Sequence, residues 1–267
     1  MRKLWRSVLF QRAMTLVWLG AFLFCAYELA SIFIGYHDNR EVLAQAQSLY
    51  HASETDEQGS GTAASDEHQA EARPRFRALL EINPELVGWL KIDGTVVDYP
   101  IVQATDNDYY VTRNYKREES RAGSIFMDFR NDSMEPGKHT VLYGHRMKDE
   151  TMFGSLKYYM EPEFFQAHQA LHLDTLYNSY DLMIFSVYYT TTEFDYIQTE
   201  FQSLNEYSSF LRDIQGRSLY KTSVSVTEED RIVTLSTCDY HLDPVEGRLV
   251  VHAKLVERGA PAASNEF

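Results

Sequence analysis

The chain has 267 residues, of which 44% are hydrophobic, enough apolar material for one domain of ordinary size with appendages. Its formal net charge is −14, and the four basic groups among the first twelve residues leave −18 on the remainder. This acidic balance argues against nucleic acid as a partner, because phosphate binding requires a basic face, and against electrostatic docking onto anionic lipid.

The N-terminus has the pattern of a membrane anchor. A basic flank, residues 1–12, precedes an apolar run of 24 residues from Ala13 to Tyr36 that only Glu28 interrupts. This run is long enough to span a bilayer, and the basic flank predicts a cytoplasmic N-terminus with the rest of the chain outside. A cleaved signal peptide is the alternative, since Ala26 to Ser31 is a weak version of a cleavage site. We predict an uncleaved, single-pass anchor.

Residues 37–74 are predicted to form a stalk and linker. Within them, residues 41–50 suit a short helical stalk. His51 to Pro74 is rich in Ser, Ala, Glu, Asp, Gly and Gln, without large apolar residues. That composition predicts a flexible or weakly helical linker. The folded domain is predicted over residues 75–258, with a tail at 259–267.

The predicted domain is mainly β. Tyr and Phe are abundant, with 18 and 15 copies, and they favour strands. Apolar segments of strand length alternate with turn signals, a pattern that predicts a closed or nearly closed barrel of about eight strands with few helices. The predicted strands are residues 87–92, 96–102, 123–129, 139–144, 182–190, 223–226, 231–238 and 248–256.

Three helices are predicted around these strands. One ends at Asn83-Pro84, and another begins at Pro162, since proline suits a first helical turn. The third, Ser203–Gln215, opens with a capping box formed by Ser203 and Glu206. Its apolar stripe has helical spacing and is predicted to pack in the core. The stripe consists of Leu204, Tyr207, Leu211 and Ile214.

The chain has only two cysteines, one in the predicted anchor and one in the predicted folded domain. Cys25 lies within the predicted anchor and Cys238 near the other end of the chain, so we expect no intramolecular disulfide. An exported protein with an unpaired cysteine suggests a reactive thiol. A small buried hydrophobe is the alternative, and it is the interpretation we favour for Cys25.

Cys238 ends a predicted strand. Strand alternation puts Val233, Leu235 and Thr237 on a face that suits the barrel core, and Cys238 on the opposite face, predicted to be accessible. Arg248 begins the next predicted strand. If the two strands are adjacent and antiparallel, the nine-residue connection 239–247 brings Cys238 and Arg248 side by side.

His145 is the candidate partner of the thiol, because it follows Gly144 at the end of a predicted strand. A nearby imidazolium and guanidinium favour the thiolate, and a permanently charged arginine suits a developing oxyanion. Covalent acyl transfer needs these residue types. On spacing alone, other histidines compete for this role. They are His139, His168, His172, His241 and His252.

The sequence around these residues resembles the sortase family. Thr234–Cys238 resembles its T-L-x-T-C signature, and Tyr143–His145 resembles its strand-end histidine motif. Arg248, ten residues after the cysteine, resembles the sortase arginine. The resemblance covers residues 79–256, and several further motifs are similar to class B sortases. These are Gly88-Trp89, Asp98–Val102, Gly123–Asp128 and Thr151–Phe153.

The resemblance implies an eight-stranded β-barrel with peripheral helices and a transpeptidase. It assigns Cys238 as nucleophile, His145 as acid/base and Arg248 as charge stabiliser. The cysteine would attack the Thr carbonyl of a sorting motif in an exported protein, and an amine of a peptidoglycan stem or cross-bridge would resolve the thioacyl-enzyme. No metal or organic cofactor is implied. By position, five residues would line the substrate groove, with ordinary barrel packing as the alternative. They are Asn107, Thr192, Tyr196, Ile197 and Ser236.

Other functions remain as alternatives at this point. A cysteine hydrolase would use the same residues with water as acceptor, and a pilin-polymerising sortase would use a lysine of another protein. A silent adhesin or scaffold would have no reason to keep Cys238, His145 and Arg248 in these motifs. The histidine-glycine-cysteine signature of L,D-transpeptidases is absent. Asp239 stands where a class B relative carries Glu, and residues 241–246 match nothing we can align.

Overall fold

A computed structural model of the protein describes residues 2–52, 71–238, 243 and 245–258, with residues 2–9 and Cys238 described by their backbone alone. Most of the predicted linker, residues 53–70, and the predicted tail, residues 259–267, lie outside this description. The chain divides into two compact units, Met1–Glu41 and Val42–Phe267.

The first unit belongs to helix α1, Arg2–Ala52. Within the described residues, this is the one helix long and apolar enough to cross a membrane, a property that signal sequences share. Its large apolar side chains are exposed, among them Trp18 and Phe22. Cys25 is exposed in the same way as its apolar neighbours on this helix.

The last turns of α1, residues 42–52, belong to the second unit and pack against the barrel. Leu43, Ala46 and Tyr50 are buried there, and their spacing places them on one helix face. The ring of Tyr50 stacks on Trp89 with 4.1 Å between centroids. The sequence predicted a short helical stalk over residues 41–50. The stretch is helical, but residues 42–50 form part of the folded unit because they carry an apolar stripe.

The described part of the chain contains eight strands. They are β1 Leu86–Lys91, β2 Asp98–Val102, β3 Ile125–Met127, β4 His139–Tyr143, β5 Ala170–Thr175, β6 Ser179–Thr191, β7 Ile232–Cys238 and β8 Gly247–Glu257. They form a closed barrel in the order β1-β2-β3-β4-β7-β8-β6-β5. Two neighbouring pairs, β2 with β3 and β4 with β7, are parallel, and the others are antiparallel. The predicted mainly-β barrel with peripheral helices is confirmed.

Peripheral helices connect the strands. They are α2 Pro74–Ile82, α3 Pro162–Ala167 and α4 Leu204–Gly216, with short 3₁₀ helices at Tyr109–Val111 and Gly154–Met160. Half of the predicted capping box is present, because the Ser203 hydroxyl accepts a hydrogen bond from the backbone N–H of Glu206 at 3.2 Å. The Glu206 carboxylate accepts from the backbone N–H of Gln202 at 2.7 Å, one residue before the position that a capping box requires. Leu204 is 53% exposed, so its predicted place in the core is wrong, and Phe210 is buried on that helix face instead.

The predicted number of strands was right, but one predicted strand is wrong and one strand was missed. Residues 223–226 form no strand ladder; their valines pack against the cluster beneath α4. Strand β5 was missed although Leu171, Leu173 and Thr175 alternate with less buried residues. An extended segment becomes a strand only when a neighbouring strand offers its hydrogen-bonding groups.

Strand β7 contacts protein on both faces. Val233 and Leu235 lie in the barrel core, as predicted from alternation. The opposite face was predicted to be accessible, yet Ile232, Thr234 and Ser236 are at most 3% exposed. Helix α4 and the loop before it cover this face with a second apolar cluster. Cys238 therefore ends a strand whose outer face is buried up to the barrel rim.

Candidate active site

Three adjacent strands bring the predicted catalytic residues to one edge of the barrel. Strands β4 and β7 are parallel with Tyr143 opposite Ser236, so both end at this edge. His145 lies two residues beyond β4, and Cys238 is the last residue of β7. Strand β8 returns antiparallel and places Arg248 opposite Cys238, the pairing predicted from the length of the connection.

A tight turn positions His145. A side chain at Gly144 would place its Cβ 2.8 Å from the ring of Phe153, so the close approach of chain and ring requires glycine. The His145 carbonyl accepts hydrogen bonds from the backbone N–H groups of Phe153 at 3.0 Å and Met147 at 3.1 Å. The backbone that carries the imidazole is therefore held on both sides of the turn.

The tautomer of His145 follows from one contact. Its Nε2 lies 2.7 Å from the carbonyl oxygen of Val111. A carbonyl can only accept, so Nε2 carries the hydrogen and Nδ1 is the nitrogen left to exchange a proton. Val111 belongs to the 3₁₀ helix after β2, and sequence patterns give no signal for a backbone carbonyl at this distance along the chain.

Arg248 lies half-buried at the start of β8. Its Nη1 donates to the carbonyls of Gly247 at 2.8 Å and Val245 at 3.0 Å. Within the described part of the chain, these bonds use Nη1 alone. The remaining donors of the planar guanidinium can serve an anionic oxygen, because arginine stays protonated at every physiological pH.

A groove of about 320 Å³ runs across this edge of the barrel and is lined by both His145 and Arg248. All five residues predicted to bind substrate also line it. They are Asn107, Thr192, Tyr196, Ile197 and Ser236. Further lining residues had no predicted role. They are Val111, Phe126, Tyr143, Gly144 and Thr237. The side chain of Cys238 lies outside the described atoms.

Four of the predicted groove residues make side-chain hydrogen bonds that hold them in its walls. The hydroxyls of Tyr196 and Ser236 are 2.8 Å apart. The hydroxyl of Thr192 contacts the Glu246 carboxylate. The amide of Asn107 is held at both ends, by Asp128 at 3.0 Å and by the backbone of Phe129 at 3.0 Å. These residues therefore both line the groove and pack in its walls, two roles that the sequence analysis treated as alternatives.

Tyr143 precedes His145 by two residues and was missed as a groove residue, although it lies within the recognised motif. Its hydroxyl donates to the carboxylate of Asp128 at 2.8 Å. Burial, together with this negative charge, raises the pKa of the Tyr143 phenol. The phenol therefore stays neutral and remains a hydrogen-bond donor at physiological pH.

Comparison with known proteins identifies the family. A Sortase domain family model matches residues 90–256, more than half of the chain. The chain belongs to the sortase family. Sortase B of Listeria monocytogenes is 40% identical over 247 residues, which is 92% of this chain and 97% of the relative. This similarity places the chain with the class B sortases, which are cysteine transpeptidases.

Solved sortase structures share its fold. A Bacillus anthracis protein described as similar to sortase B is 54% identical, with a TM-score of 0.73 over 84% of this chain and 98% of that one. A Staphylococcus aureus sortase B–substrate complex is 35% identical, with a TM-score of 0.76 over 84% and 99%. The closed barrel and its peripheral helices are therefore those of a class B sortase.

Proposed function

We propose that this class B sortase cleaves a C-terminal sorting motif of exported proteins after Thr and transfers the acyl group to an amine of peptidoglycan. The observation that carries the proposal is the groove at the barrel edge. His145 and Arg248 line it, and Arg248 is the strand partner of Cys238. The similar Staphylococcus aureus structure is a sortase B–substrate complex, which supports substrate binding by this chain.

Two acyl transfers make up the reaction. The Cys238 thiolate attacks the Thr carbonyl carbon, and the peptide C–N bond breaks as His145 gives its Nδ1 proton to the leaving amine. The product of this half is a thioacyl-enzyme. An incoming amine then attacks the thioester carbon and passes a proton to Nδ1 of His145. Cys238 leaves as the thiolate, so the enzyme returns to its starting protonation state.

Arg248 stabilises the negative oxygen that forms in each half-reaction. It does not act as a general base, because its guanidinium keeps its proton. The five predicted groove residues bind the sorting peptide around this centre. They are Asn107, Thr192, Tyr196, Ile197 and Ser236. Their positions along one groove bring hydroxyl, amide and apolar groups together, which suits the backbone and side chains of a peptide.

An incubation with defined amines tests this function. The detergent-solubilised full chain is mixed with a library of threonine-containing pentapeptides, with and without peptidoglycan-derived amines, and products are identified by mass spectrometry. We expect cleavage after Thr and ligation to the added amine. Hydrolysis alone, even with amine in excess, would establish the hydrolase alternative. Ligation restricted to a lysine of a partner protein would establish the pilin polymerase.

The enzyme acts outside the membrane, anchored by an uncleaved α1 with its N-terminus in the cytoplasm. The basic flank and the apolar run of α1 support this topology. Protease treatment of intact cells is expected to remove the domain from Arg75 onward while a cytoplasmic marker stays intact. Immunoblotting of cells and medium measures this result. Mature protein free in the medium, beginning near Ser31, would contradict it.

A further inference from the structure

One wall of the groove is a loop, and barrel side chains hold three consecutive residues of it. The loop, residues 192–203, joins β6 to α4 and contributes Tyr196 and Ile197 to the groove. The Tyr196 hydroxyl contacts Ser236, as described above. The carbonyl of Ile197 accepts from Arg130 at 3.0 Å, and the carbonyl of Gln198 lies 2.6 Å from Nδ1 of His139.

Arg130 is itself oriented by a buried carboxylate. Its Nε and Nη2 donate to the two oxygens of Asp128 at 2.8 and 2.7 Å, and the same Nη2 reaches Ile197. The Asp128 side chain is 0% exposed. Burial would raise the pKa of Asp128, but hydrogen bonds from Arg130 and Tyr143 outweigh burial and hold that pKa below its usual value. The pair therefore stays charged.

Asp128 also joins other walls of the groove. Its Oδ2 accepts from the amide of Asn107 and from the hydroxyl of Tyr143, both of which line the groove. Tyr143 lies on the strand that leads to His145. One carboxylate thus connects the Asn107 segment, the strand that precedes the catalytic histidine and, through Arg130, the loop at Ile197.

The loop is also held at Gln198, through a buried chain of hydrogen bonds. The donors and acceptors in this chain can be assigned in only one direction. The Gln198 carbonyl must accept, so His139 donates from Nδ1 and accepts at Nε2 from the Thr234 hydroxyl at 2.6 Å. Thr234 then accepts from Nδ1 of His252 at 2.6 Å, and Nε2 of His252 accepts from Tyr188 at 2.8 Å. Every donor has an acceptor when both imidazoles are neutral. Burial favours that state, lowering the pKa of His139 to about 4.

We propose that Arg130, oriented by Asp128, and His139 are positioning residues that hold the 192–203 loop as a preformed wall of the peptide groove. The inference rests on the proposed function in that this groove binds the sorting peptide. When the loop is already in its binding conformation, peptide binding does not have to order it, and the conformational entropy cost of ordering is avoided. If only a fraction of the molecules had the loop in this conformation, the apparent dissociation constant for the peptide would equal the intrinsic one divided by that fraction.

The test compares substitutions that remove or keep the hydrogen bonds from Arg130 and His139 to the loop. Arg130→Met removes the guanidinium and keeps the side chain's length. Arg130→Lys keeps the charge but loses the planar fork that reaches both Asp128 and the loop. His139→Leu removes both ring nitrogens, and with them the hydrogen bond to the Gln198 carbonyl, while keeping an apolar side chain in the buried site. Arg77→Met is the matched control, because Arg77 pairs with Glu71 at 2.8 Å on the exposed surface of the chain.

Two measurements are made on each variant of the full-length enzyme: steady-state kinetics on the sorting peptide, and chymotrypsin cleavage at the aromatic residues of the loop. Arg130→Met is expected to raise KM about tenfold with kcat within about twofold, and to make the loop susceptible to cleavage. Arg130→Lys should recover part of the KM effect, and His139→Leu should raise KM and loop cleavage in the same direction as Arg130→Met. Arg77→Met should match wild type in both measurements.

Other outcomes would overturn the inference. They are a lower kcat at unchanged KM in Arg130→Met, or a loop as resistant to chymotrypsin as in wild type. If the wild-type enzyme ligates no peptide, the proposed function fails, but the cleavage comparison still decides whether Arg130 holds the loop. If Arg130→Met does not fold, as judged by thermal unfolding, the same two measurements on Arg130→Lys decide.

Discussion

The Cys238→Ala variant is expected to form no thioacyl-enzyme and to lose roughly four orders of magnitude or more in transpeptidation. The reaction requires a sulfur that attacks the Thr carbonyl and later leaves as a thiolate, and alanine offers no such atom. Alanine fits a strand end, so the barrel should remain folded. Intact-protein mass spectrometry after mixing with the sorting peptide measures the result, because the wild-type enzyme gains the acyl mass and the variant does not.

Cys25 provides the matched control for this experiment. It is exposed on α1, and Cys25→Ala is expected to acylate and turn over like wild type. Circular dichroism and thermal unfolding establish that both variants are folded. Normal turnover by Cys238→Ala would remove the thiol from the mechanism, and loss of acylation in Cys25→Ala would show that the anchor thiol takes part.

The second large effect is expected at His145. Replacing it with alanine should lower kcat by about a hundredfold to ten-thousandfold, the usual range for loss of a general acid or base. The Nδ1 atom of His145 must protonate the leaving amine and deprotonate the incoming one, and the bond from Nε2 to the Val111 carbonyl fixes the ring for this exchange. Steady-state kinetics on the sorting peptide is the measurement, and unchanged kcat in the variant would contradict the assignment.

Further variants distinguish the contribution of His145 to catalysis from those of the other histidines and of Arg248. His139→Asn is not expected to reproduce the loss in kcat, because both nitrogens of the buried His139 are engaged in hydrogen bonds. Arg248→Ala should lose about a hundredfold to a thousandfold as an oxyanion donor, and Arg248→Lys should recover part of it. Both Arg248 variants should still allow alkylation of Cys238. An inactive His241→Ala beside an active His145→Ala would reverse the assignment.

Several features were determined by the sequence alone because they depend on near neighbours along the chain. The cap of α4 needs only Ser203 and Glu206, three residues apart. The burial of Val233 and Leu235 in the barrel core follows from alternation along one strand. The pairing of Cys238 with Arg248 follows from a short connection between antiparallel strands. In each case, geometry within one element, or between consecutive elements, decides the outcome.

Tertiary structure decided the features whose partners are distant in sequence. Segment 223–226 and strand β5 both carry apolar residues at alternate positions, and only the presence of a neighbouring strand made β5 a strand. The outer face of β7 is buried because α4 and the 192–203 loop lie over it. The tautomer of His145 depends on the carbonyl of Val111. The carbonyl of Ile197 accepts a hydrogen bond from Arg130, which lies 67 residues earlier in the chain. Hydrogen bonds and burial are properties of assembled pairs, so the residue types indicate which chemistry is available, and the fold decides which groups meet.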